Sequence, residues 1–135
     1  MNHVMLYIED DDNNISLVKA LLKRRPQIEL QVAMNGRDGI KAAIDSHPAL
    51  ILLDLHLPDL NGDQVLNELK ADPVTAGIPV IVLSADASRG VIRRLLAGGA
   101  FAYLTKPIEL AELGKQLDIC AAARAQQPAT RIAPA

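Results

Sequence analysis

A short apolar segment that ends in a carboxylate constrains this chain more than any other feature. Residues 50–53 read Leu-Ile-Leu-Leu, and they are followed directly by Asp54 and then, four positions later, by Pro58. Such a run of aliphatic residues is typical of a parallel strand that is covered on both faces. Because parallel sheets bind ligands beyond the carboxyl ends of their strands, Asp54 is predicted to lie at a functional site. The alternative is that Asp54 only caps the next helix.

Other apolar segments alternate with segments in which apolar residues recur at helical spacing. The predicted strands cover residues 4–8, 29–34, 50–54, 80–83 and 101–105, and a helix is predicted after each of them. Alternating polar and apolar residues in the second strand indicate that it lies at an edge of the sheet. Parallel strands need crossover connections, which place helices on both faces. The predicted fold class is therefore α/β, a doubly wound five-stranded parallel sheet with five flanking helices.

Capping and breaking residues predict where the helices begin and end. The side chain of Asn13 or Asn14 is expected to cap the first helix, because a short amide can accept hydrogen bonds from free N–H groups. Pro26 is expected to stop this helix. The fourth helix is predicted to have an apolar face and a basic outer face. The apolar residues are Val91, Ile92, Leu95 and Leu96, and the basic ones are Arg89, Arg93 and Arg94.

Length and charge limit the classes of protein that this chain can represent. One domain is expected from 135 residues, covering residues 1–122, with a disordered tail or linker over residues 123–135. A formal net charge of −2 argues against direct binding to nucleic acid. Cys120 is the only cysteine, which fits a reducing cytoplasm. No apolar run approaches membrane-spanning length, so a cytoplasmic protein without membrane contact is expected.

Charged and polar residues follow four of the five predicted strands. These residues are Glu9, Asp10, Asp54, Ser84 and Lys106. The carboxyl ends of parallel strands meet at one edge of a sheet, so the side chains are expected to converge. Three converging carboxylates repel one another, and a hard divalent cation removes that conflict. Oxygen ligands without a dedicated cage favour Mg2+.

A cation, an ammonium group and a hydroxyl around one carboxylate are typical of a phosphoryl-transfer site. In phosphoryl transfer the protein mainly positions the reacting groups and neutralises charge, and proton transfer contributes less. The residues therefore predict that Asp54 is a nucleophile that forms an acyl phosphate.

Four short sequence motifs, at or near the ends of predicted strands, together indicate a resemblance to a known protein family. They are Tyr7–Asp11 (YIEDD), Leu52–Pro58 (LLDLHLP) with Gly62, Leu83–Ala85 (LSA) and Tyr103–Pro107 (YLTKP). With these motifs the chain resembles a receiver (response-regulator) domain of two-component signalling, over about residues 4–120. The resemblance implies the flavodoxin-like fold with strand order 2-1-3-4-5.

The resemblance also implies how the site would work. Asp54 would accept a phosphoryl group from a histidine kinase or a histidine phosphotransfer protein, in a phosphorelay that depends on Mg2+. Asp10, Asp54 and the backbone carbonyl of His56 would bind the Mg2+, and Glu9 would hold a metal-bound water. Glu9 stands where the family more often has Asp. His56 and Asp86 occupy positions that are thought to tune the lifetime of the phosphoryl group.

The other residues that match the family's motifs would couple phosphorylation of Asp54 to a conformational change at the protein's surface. Lys106, followed by a cis Pro107, and Ser84 would contact the phosphoryl group. Tyr103 would follow Ser84 between outward and inward rotamers. The surface of the fourth helix, fifth strand and fifth helix would then switch and bind a downstream effector protein. Activity would be limited to self-phosphorylation and self-dephosphorylation, so the chain is not expected to be an enzyme in the ordinary sense.

Several alternatives stay open at this point. The chain is either a single-domain response regulator or the receiver of a hybrid sensor kinase. An aspartyl phosphohydrolase would usually carry a second Asp at position 56, where this chain has His. An FMN-binding domain would need a phosphate loop after the first strand, where the carboxylates of residues 9–12 would repel the anion. A pseudo-receiver that binds partners without phosphorylation is the last alternative.

Overall fold

Strands and helices alternate strictly along the chain. The computed structural model describes residues 3–86 and 88–125. The strands are β1 (His3–Ile8), β2 (Ile28–Ala33), β3 (Leu50–Asp54), β4 (Val80–Ser84) and β5 (Ala102–Thr105). The helices are α1 (Asp12–Leu22), α2 (Gly36–Ser46), α3 (Gly62–Ala71), α4 (Arg89–Ala97) and α5 (Leu110–Ala125).

The five strands form one parallel sheet in the order β2-β1-β3-β4-β5. This confirms the predicted fold class and strand order. Strand β2 lies at an edge and is only partly buried, as its alternating sequence predicts, whereas β3 and β4 are buried along their whole length. Within the described residues, no helix is both long and apolar enough to cross a membrane.

Two aliphatic cores lie on opposite faces of the sheet. Because alternate residues of a strand point to opposite faces, Ile8 packs with helices α2, α3 and α4, while Tyr7 packs with α1 and α5. Tyr7 is the only aromatic residue among the largest fully buried side chains of the described chain. The polar residues at the ends of the central strands are therefore positioned by strands that are packed into these two apolar cores.

The cap of the first helix differs from the prediction. Asp11 caps α1, and its carboxylate accepts hydrogen bonds from the backbone N–H groups of Asn13 (2.8 Å) and Asn14 (3.3 Å). The prediction that Asn13 or Asn14 is the cap is therefore wrong, because the helix begins earlier and both residues lie in its first turn. Helix α5 continues to Ala125, three residues beyond the predicted domain end, and residues 126–135 of the predicted tail lie outside the described residues.

The fourth helix buries less of its predicted apolar face than expected. Leu95 is its only buried residue, Val91 and Ile92 are partly buried, and Leu96 is exposed. An ion pair also links α4 to α3, in which Nε of Arg94 lies 3.1 Å from Oδ1 of Asp63. Helix α4 is thus held to the body of the domain by few apolar contacts.

The loop after β3 is fixed from two sides. A Cβ atom at Gly62 would lie 2.6 Å from the Cα atom of Leu55, so only glycine allows α3 to approach the end of β3 so closely. On the other side, Asp59 accepts hydrogen bonds from the first N–H groups of α2, those of Gly36 (2.7 Å) and Arg37 (3.0 Å). These contacts place the segment that follows Asp54.

Candidate functional site

Three carboxylates meet where β1 and β3 end. Oxygen atoms of Glu9, Asp10 and Asp54 all lie within 4.8 Å of one another. Glu9 and Asp54 are almost completely buried, whereas Asp10 is exposed. Three oxygen donors with one open side suit a hard divalent cation that keeps several of its own waters. The residues therefore fit the Mg2+ that their pattern predicts.

Lys106 supplies the positive charge at this edge. Its Nζ atom lies 2.8 Å from Oδ1 of Asp54 and 3.9 Å from Oε1 of Glu9. The peptide bond between Lys106 and Pro107 is cis, as predicted. The backbone N–H of Lys106 donates to the carbonyl of Ser84 at 2.9 Å, which ties the end of β5 to the end of β4.

The cluster carries more negative charge than one lysine offsets. Burial raises the pKa of Glu9 to about 7, and the hydrogen bond and negative charge of Asp54 add to this effect. The positive charge of Lys106 acts in the opposite direction but does not cancel it. A cation at the cluster would favour the ionised form of Glu9.

Glu9 also has two side-chain partners that sequence reasoning did not identify. Its Oε1 atom accepts hydrogen bonds from the phenol of Tyr7 (3.0 Å) and from the Nδ2 atom of Asn14 (3.1 Å). Burial and the charge of Glu9 raise the pKa of Tyr7 far above its usual range, so the phenol is a neutral donor. The spacing of two residues on a strand could have indicated that Tyr7 faces Glu9. No sequence signal indicated Asn14.

The other predicted site residues lie around this cluster without joining it. The side chain of His56 is exposed, while its backbone N–H donates to Oδ1 of Asp54 at 3.3 Å. Ser84 is buried, and its hydroxyl accepts from the backbone N–H of Asp86 at 3.0 Å. Tyr103 is partly buried, and its hydroxyl lies 3.0 Å from that of Thr105.

An acidic cluster thus lies beside a lysine at the carboxyl edge of a flavodoxin-like sheet. Residues 5–118 match the family model of the response regulator receiver domain. The chain belongs to this family and is thus a receiver domain of two-component signalling.

Two curated relatives illustrate the family. The polar-differentiation response regulator DivK of Brucella ovis is 33% identical over 110 residues, which are 82% of this chain and 89% of DivK. The response regulator PleD of Caulobacter vibrioides is 36% identical over 109 residues, which are 81% of this chain but 24% of PleD. The same domain therefore makes up most of one relative and a minor part of another.

Solved structures of receiver domains are also similar to this chain. The receiver domain of a sensor histidine kinase from Pseudomonas aeruginosa is 28% identical, with a TM-score of 0.78, over 88% of this chain and 97% of that one. That structure has a magnesium ion coordinated in its active-site cleft. The receiver domain of the Francisella response regulator 1452 is also 28% identical, with a TM-score of 0.81, over 88% of this chain and 96% of that one.

Proposed function

We propose that this receiver domain accepts a phosphoryl group on Asp54, in a reaction that depends on Mg2+. The donor is a phosphohistidine on a histidine kinase or a histidine phosphotransfer protein. The observation that carries the proposal is the buried Asp54 carboxylate, 2.8 Å from the ammonium group of Lys106 and next to two further acids. A carboxylate so placed is oriented for attack on phosphorus, and a bound Mg2+ would offset the remaining negative charge.

The proposed reaction is a simple displacement. A carboxylate oxygen of Asp54 forms a bond to phosphorus, the phosphorus–nitrogen bond of the donor breaks, and the imidazole leaves with a proton from solvent. Lys106 moves with its charge from the Asp54 oxygen to a phosphoryl oxygen. Asp10, Asp54 and the backbone carbonyl of His56 would hold Mg2+, with Glu9 on a metal-bound water. Bound Mg2+ neutralises charge on the transferred group. We infer no hydrolase activity toward other substrates, because the side chain at position 56 is an exposed histidine rather than a second acid.

A chain of hydrogen bonds supports a switch at α4. Asp86 donates its backbone N–H to the hydroxyl of Ser84, and its carboxylate accepts from the N–H of Ser88 at 2.8 Å. Ser88 in turn caps α4 by accepting from the N–H of Val91 at 3.4 Å. If the Ser84 hydroxyl turns to a phosphoryl oxygen, Asp86 loses its acceptor and the start of α4 is released. We propose that Tyr103 and the α4–β5–α5 surface then rearrange and bind an effector protein.

Beryllofluoride, a stable mimic of the phosphoryl group, tests this function. We expect it to bind the wild-type protein with one saturable 19F NMR signal, only when Mg2+ is present. Backbone signals of residues 84–95 should shift, while those of the buried α2 residue Ala43 should not. Asp54→Ala should show no bound signal. The proposal fails if wild-type protein gives no bound signal, or if Asp54→Ala gives the same one.

A further inference from the structure

Tyr7 and Glu9 are joined by a hydrogen bond that is closed to solvent. Both residues are fully buried, and the Tyr7 hydroxyl donates to Oε1 of Glu9 at 3.0 Å. Tyr7 lies on β1 and Glu9 follows directly after this strand, with its backbone N–H still bonded to the carbonyl of Ala33 on β2. At a spacing of two positions, both side chains project from the same face of the sheet. The Tyr7 ring packs among aliphatic side chains of α1 and α5. Glu9 is the only acceptor of this phenol among the described residues.

Glu9 accepts hydrogen bonds from three further groups. Oε1 accepts from Nδ2 of Asn14 at 3.1 Å as well as from Tyr7. Oε2 accepts from the backbone N–H groups of Asp10 (3.2 Å) and Asp11 (3.4 Å). Each carboxylate oxygen of Glu9 therefore accepts two hydrogen bonds from neighbouring protein groups. The position of Glu9 is therefore set by its protein neighbours.

The length of the side chain at position 9 matters for this arrangement. Aspartate is shorter than glutamate by one methylene, so at this position it would withdraw the carboxylate from Tyr7 by about 1.5 Å. A hydrogen bond of 3.0 Å would then be broken. The phenol would be left in the apolar core without an acceptor, which is costly.

We propose that Tyr7 and Glu9 are a matched pair, in which Tyr7 is a positioning residue. With Asn14, it holds the longer acid at a fixed distance from Asp10 and Asp54 and thereby sets the affinity of the cluster for Mg2+. The part that concerns Mg2+ rests on the proposed function, whereas the pairing itself does not. The pair accounts for glutamate at a position where the shorter acid is the commoner choice in the family.

A double-mutant cycle with Tyr7→Phe and Glu9→Asp tests the pair by two measurements. Chemical unfolding in chelator should show that Glu9→Asp lowers the folding equilibrium constant about tenfold in the wild-type background. In the Tyr7→Phe background, the same change should have little effect, because no donor is stranded. Calorimetric titration with Mg2+ should show each single variant binding about tenfold more weakly. The double variant should bind Mg2+ about as weakly as Glu9→Asp alone, because the shorter acid has already lost its hydrogen bond with Tyr7.

Thr75→Val is the matched control. Thr75 is buried, and its hydroxyl donates to the carbonyl of Leu69 at 2.6 Å, beside the loop that leads into the opposite end of β4. This variant should be less stable but should bind Mg2+ like the wild type. Additive effects on stability in the cycle would overturn the matched pair. Unchanged Mg2+ affinity in Tyr7→Phe would overturn the positioning role. Failure of the wild type to bind Mg2+ would contradict the proposed function, and the stability cycle would still decide the pairing.

Discussion

Asp54→Asn is expected to reduce phosphoryl uptake by about a thousandfold or more. The amide is a poor nucleophile, and it cannot form the acyl phosphate that the carboxylate forms. It also removes the charge that holds Lys106 at 2.8 Å. Incubation with acetyl phosphate and Mg2+, followed by intact-mass spectrometry, measures the fraction of chains that have gained one phosphoryl group.

Asp45→Asn provides the control for this prediction. Asp45 is an exposed acid on α2, so its replacement makes the same charge change away from the cluster. This variant should take up one phosphoryl group at the wild-type rate. Uptake by Asp54→Asn at that same rate would show that another residue is the acceptor.

Asp10→Asn is expected to weaken Mg2+ binding by between about tenfold and a hundredfold. Asp10 is the exposed member of the acidic cluster, and a neutral amide oxygen attracts a hard cation much less than a carboxylate does. Without metal the free energy of unfolding should rise, because the loss of one carboxylate relieves the repulsion within the cluster. Calorimetric titration with Mg2+ and unfolding in chelator measure the two quantities separately.

Asp12→Asn separates metal binding from a general effect of charge. Asp12 is an exposed acid only two residues away, at the start of α1, and it is not a member of the cluster. Its replacement should change Mg2+ affinity only slightly, because exposed charges are screened by water and salt. Equal losses in the two variants would contradict the assignment of Asp10 as a ligand.

The sequence predicts the sheet well because its strands are so clearly patterned. Strands β3 and β4 are continuous aliphatic runs, and both are fully buried in the structure. A polar residue ends or follows each of these strands, and parallel packing places such residues at one edge of the sheet. Asp54 lies close to Glu9 and Asp10 because β3 pairs with β1. The strand order was not contained in these patterns and came from the family resemblance.

Details that depend on tertiary contacts could not be predicted in the same way. Asp11 rather than an asparagine caps α1, because the exact point at which the chain leaves β1 decides which side chain reaches the first N–H groups. The hydrogen bonds of Glu9 with Tyr7 and Asn14 require both the strand register and the helix position. Leu96 fits the apolar pattern of α4 but is 46% exposed, because this helix packs mainly through Leu95.

The identity of the phosphorylated residue decides whether Asp54 is the phosphoryl acceptor. After incubation with acetyl phosphate and Mg2+, borohydride reduces an aspartyl phosphate to the corresponding alcohol, and tandem mass spectrometry of peptides locates that residue. We expect a single modified position, Asp54, and no modification when a chelator is present. Modification at Asp10 or another acid instead of Asp54, or uptake that persists in chelator, would contradict it.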